Sequence, residues 1–134
     1  MEIKDYRLWK DYYFEVFIPA YENAISVKSK FEKSEIDNRE MLMETVSETF
    51  ICSMNLLKIY LSNNGLWLEK IRRVLRFAFY TDIISDGDEW IQFGDLMFTR
   101  TPVDLNVAVN FVLNNFFIFE KLKNKFQTLS EENG

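Results

Sequence analysis

Apolar residues recur along this chain at intervals of three and four. Between Asp5 and Lys33 the residues Leu8, Tyr12, Tyr13, Val16, Phe17, Ala20, Ala24, Val27 and Phe31 form one stripe when wound at helical pitch. Pro19 interrupts the stripe. Because proline costs about 3 kcal/mol inside a helix and little in its first turn, the pattern predicts a short helix ending near Phe17 and a second starting near Pro19. Polarity then rises over 34–40, where Asp37 and Glu40 have the spacing of a capping box. Met43, Val46, Phe50, Met54, Leu57 and Leu61 follow as a single long helix to Ser62. Asn63, Asn64 and Gly65 supply residues that tolerate left-handed dihedrals at its end.

Leu68, Ile71, Leu75, Ala78 and Phe79 define the next helix, whose other side carries Lys70, Arg72, Arg73 and Arg76. A final helix is predicted over 103–129 from Leu105, Val109, Val112, Leu113, Phe116, Phe119 and Leu122, with Pro102 at its start. The stretch between the last two, ISDGDEWIQFGDLMFTRT, has two readings. Asp86 with Asp88 and Glu89 suits a helix start, since carboxylates there are stabilised by the helix dipole. Gly94 and Asp95 between two apolar quartets suit a type II′ hairpin instead. Because an isolated two-stranded ribbon is only marginally stable, we expect a short helix near 86–93 with Trp90 packed inward, then an irregular apolar loop. The fold class expected is all-α, an antiparallel four-helix up-and-down bundle with an extra N-terminal helix over 1–18. A single domain covers 1–134, with 130–134 a frayed polar tail.

Composition sharpens this. With 48% apolar residues, 13 Phe and only 4 Gly and 2 Pro among 134 residues, a compact, aromatic-rich interior is expected. Sixteen basic against 21 acidic residues leave a net charge of −5, which removes the general attraction of non-specific nucleic-acid binders, so any polyanion contact must be local. Cys52 is the single cysteine and sits among apolar residues, as a buried structural thiol would. No leader-like segment begins the chain and no apolar run nears the ~20 residues that span a bilayer, so neither membrane nor export is expected and the cytoplasm is the default.

From about Tyr21 to Phe126 the pattern resembles the nucleotidyltransferase substrate-binding proteins, small bundles of the HEPN superfamily. The likeness is densest in VLRFAFYTDIISDGDEW, where Arg76, Ala78, Phe79, Ile83, Ile84, Asp86, Gly87 and Trp90 fall on the family's motif positions. The resemblance implies a substrate-binding or interaction subunit paired with a minimal nucleotidyltransferase, in a setting like that of toxin–antitoxin pairs. Nuclease members of the superfamily carry an Arg followed closely by a His. This chain has no histidine, and Arg100 is at most a displaced remnant of that Arg. Without an imidazole for proton transfer near neutrality, no enzyme of that kind is expected. The alternatives are a residual RNA- or nucleotide-directed enzyme using Arg76 or Arg100, and an unrelated helical adaptor.

No cofactor is expected, and with no His and one Cys only carboxylates could hold a metal. Asp82, Asp86, Asp88, Glu89 and Asp95 lack calcium-loop spacing, so no metal site is expected there. Arg72, Arg73, Arg76 and Arg100 are the candidates for a nucleotide phosphate, because guanidinium forks match phosphate oxygens; a solvated or acid-paired helix face is the competing reading. Tyr6, Trp9, Tyr12, Tyr13, Phe14 and Phe17 place aromatics on more than one side of the first helix. Trp9, Tyr13, Phe14 and Phe17 are therefore the expected interface residues of a homodimer; an extra core layer is the other reading.

Overall fold

A computed structural model describes residues 8–34, 38–98 and 104–132. These are helical with no strand among them: α1 (Trp9–Tyr12), a π-helical turn (Tyr13–Phe17), α2 (Ile18–Glu32), α3 (Arg39–Asn63), α4 (Ile71–Tyr80), α5 (Gly87–Phe98), α6 (Leu105–Asn115) and α7 (Phe117–Glu132). The helices form a bundle around α3, about 37 Å long, which touches every other helix.

The N-terminal helix does not stop at Phe17. α1, the π turn and α2 run on without a gap, with Pro19 in the first turn of α2. A proline ring crowds the carbonyl four residues back and cannot donate to it; widening the preceding turn to π geometry accommodates this while the helix continues. Tyr12, Tyr13 and Phe17 face the inside, as the apolar stripe requires. Tyr13 stacks on Phe17 at 5.7 Å, Phe17 on Tyr21 at 5.9 Å and Tyr21 on Phe116 at 6.2 Å, so one aromatic column ties the N-terminal helix to the last pair. The helix runs antiparallel to α3: the Trp9 amide donates to Asn63 Oδ1 (2.9 Å) near one end, and Thr49 Oγ1 donates to the Ala20 carbonyl (3.3 Å) farther along.

α3 starts one residue later than a box on Asp37 requires. Its cap is Asn38, whose Oδ1 accepts from the Met41 amide at 2.9 Å; Asp37 itself lies outside the described residues. At its C-terminal end Gly65 adopts φ +89°, and the Gly65 and Leu66 amides donate to the carbonyls of Ser62 and Leu61. That Schellman pair is the expected left-handed stop. Thr45, Thr49 and Ser53 are buried on α3, each donating its hydroxyl to the carbonyl one turn back. Cys52 is buried as expected; burial pushes its thiol pKa up, and a hydrogen bond from Tyr12 opposes the shift only in part.

Two further predicted boundaries are corrected. α5 continues to Phe98, so 94–98 is helix and not an irregular loop. Gly94 lies inside α5 and makes no turn; a Cβ there would come 3.4 Å from the Phe50 ring of α3, the near edge of ordinary contact. The last helix is two, divided at Phe116. Asn115 Nδ2 donates to the Phe111 carbonyl at 2.9 Å, competing for the acceptor its own backbone amide would use, and Phe116 wedges against Tyr21 and Phe119. α6 is capped by Asp104, whose Oδ1 accepts from the Asn106 and Val107 amides; Pro102 lies outside the described residues. The tail is helical through Glu132, where the Ser130 hydroxyl donates to the Gln127 carbonyl.

Candidate functional site

Of the positions that carry the resemblance, Arg76, Phe79 and Gly87 line a groove between α4 and the start of α5, while Ala78, Ile83, Ile84 and Trp90 are buried. Helix α4 is amphipathic by sequence: Val74, Leu75 and Ala78 are buried, and Ile71 is partly buried beside them. At about 100° per residue, Arg72, Arg76, Phe79, Tyr80 and Arg73 fall within an outward arc of roughly 120°. α4 stops at a tight turn in which Asp82 takes φ +61°, with the Asp82 and Ile83 amides donating to the carbonyls of Phe79 and Ala78. Ile83 and Ile84 then bury themselves, and the chain re-enters helix at Gly87.

The resulting cavity, about 490 Å³, has one wall of Arg72, Arg76, Phe79 and Tyr80 and another of Ser85, Gly87, Asp88 and Glu89, with Leu75 and Ile91 completing the lining. Phe79 is 47% and Tyr80 69% exposed, unusual for rings that lie 6.2 Å apart beside two guanidinium groups. A Cβ at Gly87 would meet the Phe79 ring at 3.5 Å, an ordinary contact, so glycine there widens the groove more than it relieves a clash. Trp90 lies behind this wall, 1% exposed, packed edge-on against Phe119 at 5.4 Å. It is a core residue that seats α5, as its inward packing required.

Asp86 is held away from the groove. Its carboxylate pairs with Lys121 of α7 at 3.2 Å and accepts from the Ser85 hydroxyl at 3.1 Å, anchoring the turn to the bundle. Arg72 pairs with Asp95 at 3.3 Å, but both side chains are well exposed, and such pairs contribute about 0–1 kcal/mol, so the guanidinium is readily recruited. Among the described residues Arg73 and Arg76 form no ion pair. The acid-paired reading of the basic face thus applies to Arg72 alone. Among the described residues no group of three His, Cys, Asp or Glu side chains is placed to hold a metal.

The other sequence candidates separate. Arg73 stands on the same face of α4 but outside the groove, beside Trp67, Leu68, Glu69 and Lys70 around a second hollow of about 380 Å³. Arg100 lies outside the described residues. Ala78 is buried and serves packing.

The expected dimer residues are mostly core. Tyr13 and Phe17 are fully buried, and Trp9 is half-buried between Tyr60 (5.7 Å) and Phe126 (5.3 Å). The Tyr13 hydroxyl shares its one proton between two acceptors, the Lys123 carbonyl (3.0 Å) and Gln127 Oε1 (3.1 Å), and burial, with Glu131 next in effect, pushes its pKa up to about 12. Phe14, 48% exposed, is the one of the four left outward. Trp9, Tyr13 and Phe17 follow one another at intervals of four and so share the apolar stripe that packs on the bundle, whereas Phe14 falls off it.

Two aromatic residues were not singled out from sequence. Trp67, 81% exposed, gives no signal in a loop, whereas Tyr80 could have been found by projecting it onto the Arg72–Arg76 side of α4. Comparison with protein-family models, curated proteins and solved structures finds no match to this chain.

Proposed function

We propose that this chain is a non-catalytic binding module whose α4–α5 groove takes a nucleotide. The observation that carries the reading is the placement of Arg72 and Arg76 beside the exposed Phe79 and Tyr80 rings over a cavity of about 490 Å³, within the size range of small-ligand sites. Guanidinium groups match phosphate oxygens, and an exposed ring offers a stacking surface to a base. Asp88 and Glu89 across the groove are acceptors suited to ribose hydroxyls or base amino groups. With no histidine in the chain, the residues gathered here bind and orient; proton transfer of the HEPN nuclease kind has no imidazole to perform it.

The scaffold we take to be an up-and-down antiparallel four-helix bundle of the continuous α1–α2 helix, α3, α4 and α6–α7, with α5 inserted. The arrangement agrees with the resemblance to nucleotidyltransferase substrate-binding proteins, and pairing with a minimal nucleotidyltransferase is part of the proposal. A cytoplasmic setting goes with it; no helix among the described residues is long and apolar enough to cross a membrane.

An interaction role, with self-association or a protein partner, is favoured by a different observation. Phe98, Leu105 and Val107 are 52, 39 and 61% exposed around 99–103, and Phe14 is exposed on α1–α2. The decisive experiment for the groove is an amide-shift NMR titration with AMP, adenosine and inorganic phosphate. AMP is expected to shift Arg76, Phe79 and Gly87 saturably, with Arg76→Ala weakening it about tenfold or more, as loss of a charged hydrogen bond implies. Absence of any saturable shift from AMP, or shifts confined to other surfaces, overturns the reading.

A further inference from the structure

We infer that the groove is one end of a recognition strip for a short single-stranded oligonucleotide, running along the outer face of α4 to Trp67. The inference rests on the nucleotide reading of the groove and extends its ligand class. Three features carry it.

Trp67 is the most exposed large hydrophobic side chain among the described residues, at 81%, and it shares its hollow with Lys70 and Arg73. Eight residues of α4, Ile71 to Ala78, about 12 Å of helix, lie between the segment that carries this indole and Phe79 and Tyr80 at the other end. Between the two aromatic ends, Arg72, Arg73 and Arg76 are all exposed on one side. The order is therefore ring, cations, ring.

A mononucleotide fills one end of such a strip and leaves Trp67 idle. A single strand matches both ends, because unpaired bases stack on aromatic faces while the phosphates between them meet cations; duplexes keep their bases stacked on one another and offer no ring face. An acidic peptide would use the cations and leave the rings without flat partners. The net charge of −5 opposes a long polyanion overall, so the cations of this patch favour a short segment.

The test is fluorescence anisotropy of labelled single-stranded hexanucleotides, with AMP and polyglutamate as competitors and Trp67→Ala, Arg73→Ala and Arg76→Ala as variants. Trp67 is exposed, so Trp67→Ala leaves folding unchanged, which circular dichroism checks. The expected result is that the hexanucleotide binds at least about tenfold tighter than AMP, that Trp67→Ala removes about that advantage while leaving AMP binding in place, and that Arg73→Ala flattens the salt dependence. If AMP binds in an Arg76-dependent way but the hexanucleotide binds no tighter and Trp67→Ala changes nothing, the strip is overturned and the groove stands. If neither binds, the nucleotide reading falls as well. If polyglutamate displaces the hexanucleotide at equal charge concentration, the surface is an acidic-peptide site and the inference is overturned.

Discussion

Replacing Gly94 by alanine tests whether α5 runs through this position. In the structure Gly94 is the eighth residue of α5, with ordinary helical dihedrals. Alanine in a helix interior is favoured over glycine by about 0.8–1.0 kcal/mol, and it removes freedom from the unfolded chain. Against this stands one contact: the new methyl would lie 3.4 Å from Cζ of Phe50, a ring fully buried among Trp90, Phe93 and Phe98. A shift of a few tenths of an ångström relieves that contact, so the steric term takes back about half the gain. Gly94→Ala is therefore expected to stabilise by about 0.5 kcal/mol, raising Tm by about 2 °C in a chain of this size. Gly65→Ala is the opposing control. Nothing lies within 4 Å of its added methyl, but φ is +89°, so the full backbone cost of about 1 kcal/mol appears as a Tm drop of about 4 °C. Urea and thermal melts followed by circular dichroism read both signs. A loss of 1 kcal/mol or more in Gly94→Ala, matching Gly65→Ala, would refute the reasoning, because it would place Gly94 in a left-handed turn and end α5 before it.

Other expectations follow from particular contacts. Asp82 holds the left-handed position of the turn after α4, so Asp82→Gly is expected to stabilise by about 0.5 kcal/mol; an unchanged or lowered urea midpoint would count against strain at that residue. Tyr13→Phe is expected to cost about 0.5–1.5 kcal/mol at pH 7 through its lost hydrogen bond to the Lys123 carbonyl or Gln127. Because folding raises the Tyr13 pKa from 10 to about 12, the neutral hydroxyl contributes fully below pH 10 and its contribution is lost as pH rises through 12. The gap between wild type and Tyr13→Phe should therefore close over that window, and a gap that widens in alkaline melts would contradict the burial argument. Purified protein is expected to leave RNA intact with or without divalent metal; turnover abolished by Arg100→Ala would restore the residual-enzyme alternative.

The helices themselves were legible in the sequence, because a stripe repeating every three or four residues can be buried only on a helix. The all-helical class of the described residues, the long α3 and the buried Cys52 follow from that periodicity, and the inward Trp90 from the instability of an isolated hairpin in its place. Positions of chain reversal were legible where the chemistry is local, as at Asn63–Gly65, but not where a neighbour decides. Gly94 reads as a turn residue until Phe50 is known to lie against it, and Phe116 reads as one more core position until Asn115 and Tyr21 are seen to divide the helix there. Of the candidate site, the basic side of α4 could be read from spacing, and Arg76, Phe79 and Gly87 stood out only through the family resemblance. Its completion could not. Periodicity gives a side chain's angle on its own helix; whether that angle meets protein or solvent depends on which helix packs opposite. Packing of the N-terminal helix against α3 and α7 put Tyr13 and Phe17 into the core and removed most of the expected dimer face, whereas among the described residues the outer side of α4 is left open, so Tyr80 and Trp67 stay exposed near the arginines. Tertiary packing thus relocated the exposed aromatic surface from the first helix to the fourth.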